Sequence, residues 1–174
     1  QGENNMLPKI KTILYTTALG PGASYVFRYA LALARQHEAK IVAVHAMEPL
    51  SLFGRSLVEQ YISHESTEEM HSKARESVTA GIKQRIEQLC TKECDDAPSC
   101  ENAVSSVHVV DGYPVQVILD KAKECSADLI VMGVRDRTKV GEAIMGSTTR
   151  KVLHSASQPV LVVKIPKNYK EELQ

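Results

Sequence analysis

The stretch from Gly133 to Val152 reads GVRDRTKVGEAIMGSTTRKV, and its residue types suit the binding of an anion. Ser147, Thr148 and Thr149 stand where a helical pattern begins. Backbone N–H groups at a helix start point outward without partners, and the helix dipole favours negative charge there. Arg135, Arg137 and Lys139 add positive charge to the same stretch. Two plainer roles compete with that chemistry. Ser147 or Thr148 serves as well to cap its own helix, and basic residues in a loop are explained by solvation. The spacing excludes two familiar phosphate-binding patterns, since no Gly-Lys-Ser/Thr follows and no Gly-x-Gly-x-x-Gly opens the chain's first helix.

A second reactive group lies in CTKECDDAPSCENA, which places Cys90, Cys94 and Cys100 in a short acidic segment, with Cys125 further along. Clustered thiols suit a soft metal or an oxidation-sensitive disulfide. Neither spacing is Cys-x-x-Cys, and a reducing cytoplasm keeps such thiols free. The alternative is a disulfide between Cys94 and Cys100, or a metal or thiol sensor built on the three. His45 suits a core histidine with a satisfied ring, while His64 and His71 fall on a polar helix face. A hydrolase or transferase needs a nucleophile, a base and an orienting group that converge. Ser147 has no evident His or carboxylate partner, and Asp136 is the loop's one candidate base. The expectation is therefore no catalytic residue, with a slow ATPase through Asp136 as the enzymatic alternative.

The elements that must position these residues follow from hydrophobic periodicity. Lys11–Thr17, Lys40–Met47, Val104–Val110, Asp128–Gly133 and Pro159–Ile165 are short β-branched runs bounded by polar or turn residues, which predicts five strands. Most lack polar alternation, as expected of strands buried on both faces of a parallel sheet. Apolar residues at helical spacing predict helices over Ala23–His37, over Leu57–Cys90 with a break at Ile62–Glu69, over Val115–Cys125 and over Thr148–Ser155. The alternation predicts an α/β, doubly wound, five-stranded parallel sheet with helices on both faces. Ligands in such sheets sit beyond the carboxyl ends of the strands, where strand order reverses. Thr17–Gly22 and Gly133–Thr149 both fall at that edge.

Composition narrows the class further. The 174 residues, 43% of them hydrophobic, suit one domain over residues 6–166 with a sizeable core. Residues 1–5 read as an appended remnant before a native start at Met6, and residues 167–174 as a polar tail. Lysine plus arginine and aspartate plus glutamate number 21 each, so no net field recruits nucleic acid or an anionic membrane. No apolar run approaches the roughly 20 residues of a membrane span. The chain reads as cytoplasmic.

Three passages together resemble the universal stress protein family: KIKTILYTTALGPGASYVFRYALALARQHEAKIVAVHA, DGYPVQVILDKAKECSADLIVMGVRDRT and GSTTRKVLHSASQPVLVVKI. The similarity runs from about Lys9 to Lys164, around an enlarged middle. It implies a Rossmann-like sheet of the adenine-nucleotide hydrolase type and a homodimer, often paired through the last strand, here Val160 to Lys164. The residues agree with that pairing, because Val160–Val163 would make an apolar edge strand that needs a partner. The polar tail is the alternative cover.

Many members of the family bind ATP, accompanied by Mg, or AMP. Their loop runs Gly-x-x-Gly, nine residues, then Gly-Ser or Gly-Thr, and an aspartate closes the first strand. By position the loop's first glycine is Gly133, the intervening residues are Arg137–Met145, and the closing pair is Gly146-Ser147. Its second glycine is replaced by Asp136, and the aspartate by Ala18. The same resemblance places Thr16, Met132 and Thr148 around the ligand and assigns adenine contact to the backbone of Ala46, which survives side-chain change. Loss of a carboxylate that accepts hydroxyl hydrogen bonds removes about 1.5–3 kcal/mol, or about ten- to a hundredfold in affinity. Asp136 repels phosphate, and a side chain there impedes close backbone approach, although Arg135, Arg137 or Lys139 would offset its charge. The resemblance thus implies a stress-response protein with a degraded nucleotide site. Weak ATP or AMP binding is expected rather than tight, an intact regulatory module being the alternative.

Overall fold

The computed structural model describes residues 7–49, 56, 60, 64–93, 100, 102–135 and 145–170. Strands β1 (Thr12–Thr16), β2 (Lys40–Met47), β3 (Val104–Asp111), β4 (Leu129–Arg135) and β5 (Val160–Ile165) alternate with helices α1 (Ala23–His37), α2 (His64–Glu93), α3 (Pro114–Glu124) and α4 (Ser147–Ser155). The strands form one sheet in the order β3-β2-β1-β4-β5, and each neighbouring pair is parallel.

Alternate side chains of a strand point to opposite faces, and both faces of this sheet are apolar. Ile13, Tyr15, Ile41, Ala43, Leu129 and Val131 pack under α1 and α2. Leu14, Val42, Val44, Ile130 and Met132 pack under α3 and α4. The near-continuous apolar runs of β1, β2 and β4 are therefore two interleaved stripes, each serving its own core. β3 and β5 lie at the edges, and most of their residues are only half-buried.

The helices form where spacing and end chemistry agree. In α1, Val26, Phe27, Ala30, Leu31 and Ala34 recur every three or four residues and are buried. Gly22 precedes it at φ 106°, a left-handed conformation that glycine adopts without a Cβ penalty. Pro114 opens α3, where the proline's missing N–H has no helical partner to lose.

Most expected boundaries agree with the structure to within two residues. Two differ in consequential ways. The expected break at Ile62–Glu69 is absent from residues 64–69, which are helical; residues 57–59 and 61–63 lie outside the described residues. β4 continues past Gly133 to Arg135, because Gly133, Val134 and Arg135 keep pairing with Val163, Lys164 and Ile165. Gly133 is thus a strand residue rather than the first residue of a loop.

The chain after β5 turns away from the sheet edge. Tyr169 stacks edge-on against Tyr25 of α1 with ring centroids 5.1 Å apart, and its hydroxyl accepts from Arg28 at 3.5 Å. Through Lys170 the tail thus engages the outside of α1.

Candidate functional site

Strand order reverses between β1 and β4, since β1 leads through α1 to β2 on one side while β4 lies on the other. Their carboxyl ends, with that of β2, form the edge outside which open α/β sheets bind ligands in a crevice. Register places the expected residues along this edge. Thr16 pairs with Val44, and Met132 and Gly133 continue β4 beyond Val131, which pairs with Tyr15. Ala46 pairs with Val110 near the end of β2.

The loop after β1 is held from several directions. Thr17 N–H donates to Val44 O at 3.0 Å, and Thr17 O accepts from His45 Nδ1 at 2.7 Å. Because a carbonyl only accepts, the His45 proton sits on Nδ1, leaving Nε2 as an acceptor in the neutral ring. Leu19, at φ 58°, donates its N–H to Thr17 Oγ1 at 3.3 Å. Its carbonyl accepts from Arg85 Nη1 of α2 at 3.0 Å. Ala23 N–H donates to Gly20 O at 3.1 Å, starting α1. Ala18 is exposed within this constrained loop.

Thr16 is half-buried and its hydroxyl donates to Val131 O at 3.4 Å, joining β1 to β4 by a side chain. Met132 is buried among the α3 and α4 core residues, and Ala46 packs at the margin of the same core. Gly133 faces the other way. A Cβ there would lie 2.5 Å from Val26 Cγ2 and 3.2 Å from Ile165 Cδ1. Close packing of α1 therefore by itself requires glycine at this position.

Gly146 precedes α4 and is exposed, and among the described residues no atom lies within 4 Å of the position a Cβ would take. Ser147 and Thr148 are the first residues of α4, and among the described residues no side chain caps the helix. The capping role open to Ser147 or Thr148 is thus not taken up. Thr149 is buried, and Arg150 N–H makes the first helical bond, to Gly146 O at 3.1 Å. Arg135 is exposed at the end of β4, with Nη2 3.2 Å from the position a Gly22 Cβ would occupy, so its charge lies over the start of α1. Asp136, Arg137, Lys139 and Gly141 lie outside the described residues.

The cysteines differ from expectation. Cys90 and Cys100 form a disulfide with Cα atoms 5.5 Å apart, in place of free thiols or a Cys94–Cys100 pair. The reason is helical phase: Cys90 follows Ile82 and Ile86 at intervals of four on the inward face of α2, so its sulfur enters the core beside Cys100. Cys94 lies outside the described residues. Cys125 is free, and burial pushes its thiol above the usual range. Among the described residues no cluster of His, Cys, Asp and Glu is arranged to hold a metal, and no helix is long and apolar enough to cross a membrane. His71 is exposed, as its polar helix face suggests.

Arg85 and Thr17 are the site residues that sequence reasoning missed. Arg85 sits three residues after Ile82 and one before Ile86, on the flank of the buried stripe. That position signals a cation directed along the core edge, but names no target.

A parallel sheet in this strand order, wound on both faces, defines the Rossmann-like class of fold. The sequence pattern of the universal stress protein family matches residues 9–164. The universal stress protein in QAH/OAS sulfhydrylase 3′ region, from Thermus aquaticus, is 30% identical over 88% of this chain and 98% of its own length. Universal stress protein MJ0577 of Methanocaldococcus jannaschii is 26% identical over 88% of this chain and 94% of its own. The solved structure of MJ0577 superposes with a TM-score of 0.61 at 23% identity, covering 90% of this chain and 97% of that one. A universal stress protein solved in complex with cAMP shares the fold at a TM-score of 0.53 and 18% identity, over 91% and 99% of the two chains. The chain belongs to the universal stress protein family.

Proposed function

We propose that this universal stress protein is a non-catalytic regulator whose crevice retains its scaffold but binds ATP or AMP weakly. The observation that carries the reading is Ala18. It is exposed in a loop fixed by Thr17, His45 and Arg85, at the position where the family resemblance expects a carboxylate. A methyl group accepts no hydrogen bond from a ribose, so a well-built loop presents the wrong side chain. Asp136, in place of the second loop glycine, adds negative charge where phosphates would lie.

Several features support residual binding. The first N–H groups of α4 lack intrahelical acceptors, and no side chain of the helix competes for them. Arg135 brings a cation to the crevice, and Ala46 offers backbone groups whatever its side chain. A relative with this fold was solved with cAMP bound. ATP would enter with its Mg counterion. Among the described residues Ser147 is not hydrogen-bonded to a histidine or carboxylate, which favours binding without chemistry.

The edge strand favours a homodimer. The Ile130 N–H to Pro159 O bond, at 3.0 Å, sets the phase of the β4 and β5 ladder. Leu161 and Val163 then turn their backbone groups to β4, while Val160, Val162 and Lys164 turn theirs outward. Tyr169 of the tail packs on α1, so among the described residues the tail does not pair with that edge, which favours a second copy there. Val162→Pro removes one outward N–H and is expected to give a monomer by light scattering; an unchanged particle mass would refute pairing through β5. A cytoplasmic location fits the composition, and the buried Cys90–Cys100 disulfide is the one feature that favours an oxidising setting.

Calorimetric titration with AMP and Mg-ATP, followed by phosphate assay of the same samples, tests the main reading. Weak saturable heat without released phosphate is expected. No heat would refute nucleotide binding, and released phosphate would refute the non-catalytic assignment.

A further inference from the structure

Arg85 and Cys90 lie on the same helix, and each is tied to a different part of the sheet. Arg85 donates to Leu19 O in the loop after β1. Cys90, five residues on, is bonded to Cys100. Cys100 is itself anchored to the sheet edge: its carbonyl accepts from Ala103 N–H at 3.1 Å, and Ala103 O accepts from Ile41 N–H at 2.7 Å. A rise of about 1.5 Å per residue puts the two ties on adjoining turns of α2. Elsewhere on the helix Arg75 pairs with Asp111 at the end of β3. Residues 68–74 are exposed, and burial is concentrated at Ile82, Ile86, Leu89 and Cys90. Where α2 meets the loop, a cavity of about 20 Å³ remains, bordered by Thr17, Leu19, Phe27, Ile82, Arg85 and Leu89. A void of that size holds about one water, so the Arg85 bond and the disulfide are the polar and covalent ties at this junction.

We infer that the redox state of the Cys90–Cys100 pair sets the nucleotide affinity of the crevice, with the disulfide form the tighter binder. This rests on the nucleotide reading above. The disulfide fixes the end of α2 to the sheet, α2 carries Arg85, and Arg85 holds the Leu19 carbonyl and with it the loop that presents residue 18. Opening the bond removes the covalent tie at that end of α2, and the Arg85 restraint on the loop loosens with it.

The switching step is thiol–disulfide exchange with a dithiol reductant. A reductant thiolate attacks one sulfur to give a mixed disulfide, and its second thiolate then displaces the protein sulfur. The Cys90–Cys100 bond breaks, two electrons and two protons pass to the cysteines, and the reductant is left as a disulfide. Both cysteines are buried, so exchange proceeds through local opening of this end of α2. The device therefore registers a sustained change in redox conditions.

The test compares the full chain as the disulfide with the same chain held in dithiothreitol, by AMP titration and by amide hydrogen exchange. The reduced form is expected to bind AMP about fivefold or more weakly, with faster exchange at Leu19 and Ala23 and little change in β1, β2 and β4. Arg85→Met with the disulfide intact should reproduce both effects and abolish the response to dithiothreitol. Equal exchange at Leu19 and Ala23 in the two redox states would overturn the inference. So would faster exchange throughout the chain on reduction, which would make the bond a staple of the whole fold. If neither form binds AMP while the loop still loosens on reduction, the coupling is supported and the nucleotide reading fails.

Discussion

The two sides of the crevice are built differently. The β1–α1 loop is held by Thr17 N–H on Val44 O, His45 on Thr17 O and Arg85 on Leu19 O, so the fold decides its shape before any ligand arrives. The start of α4 is exposed: among the described residues nothing crowds Gly146, and neither Ser147 nor Thr148 caps the helix. The fold spends its own hydrogen bonds on the first side and leaves those of the second side available. Substitution therefore has different meanings on each. A change near β1 perturbs the loop's shape or what it presents, while a change at α4 alters what a ligand meets and little else.

That contrast can be broken, starting with the largest effect. Gly133 faces α1 on the fixed side, and Gly133→Val places a branched side chain against Val26 and Ile165. Overpacking of this kind costs about 1–3 kcal/mol, readable as a lower denaturant midpoint. A variant as stable as the parent would show that glycine is not needed there for packing. His45→Phe removes the donor from Thr17 O and is expected to cost about 1 kcal/mol by the same measurement, with no effect on the start of α4. Ser147→Ala should change stability by less than about 0.5 kcal/mol, because the hydroxyl makes no capping bond. A loss near 1 kcal/mol, the usual value for a cap, would contradict the open description of α4.

Much of the fold was legible because its signals are local. The β-branched runs of β1, β2 and β4 and the spacing of Val26, Phe27, Ala30, Leu31 and Ala34 are written within single elements. The site was legible in outline, since strand order brings Thr16, Ala18, Ala46 and Met132 to one edge, with Gly146–Thr148 at the start of the helix after β4. What escaped depends on tertiary phase. Cys90 reaches Cys100 because it follows Ile82 and Ile86 on the inward face of α2, and no local pattern says which thiol it meets there. Arg85 meets a carbonyl 66 positions away in sequence, and no local pattern specifies that distance. Gly133 looked like a phosphate-loop glycine because close packing and close ligand approach select the same residue. The structure adds the packing against Val26, which no pattern in the sequence specifies.

Ala18 tests the central claim most directly, because the loop around it is already formed. Calorimetric titration of AMP into the parent chain and into Ala18→Asp, side by side at one ionic strength, isolates the missing carboxylate. The variant is expected to bind about ten- to a hundredfold more tightly, the equivalent of about 1.5–3 kcal/mol for hydrogen bonds to a charged group. Equal affinities, with both proteins folded, would contradict it and show that residue 18 does not limit nucleotide binding.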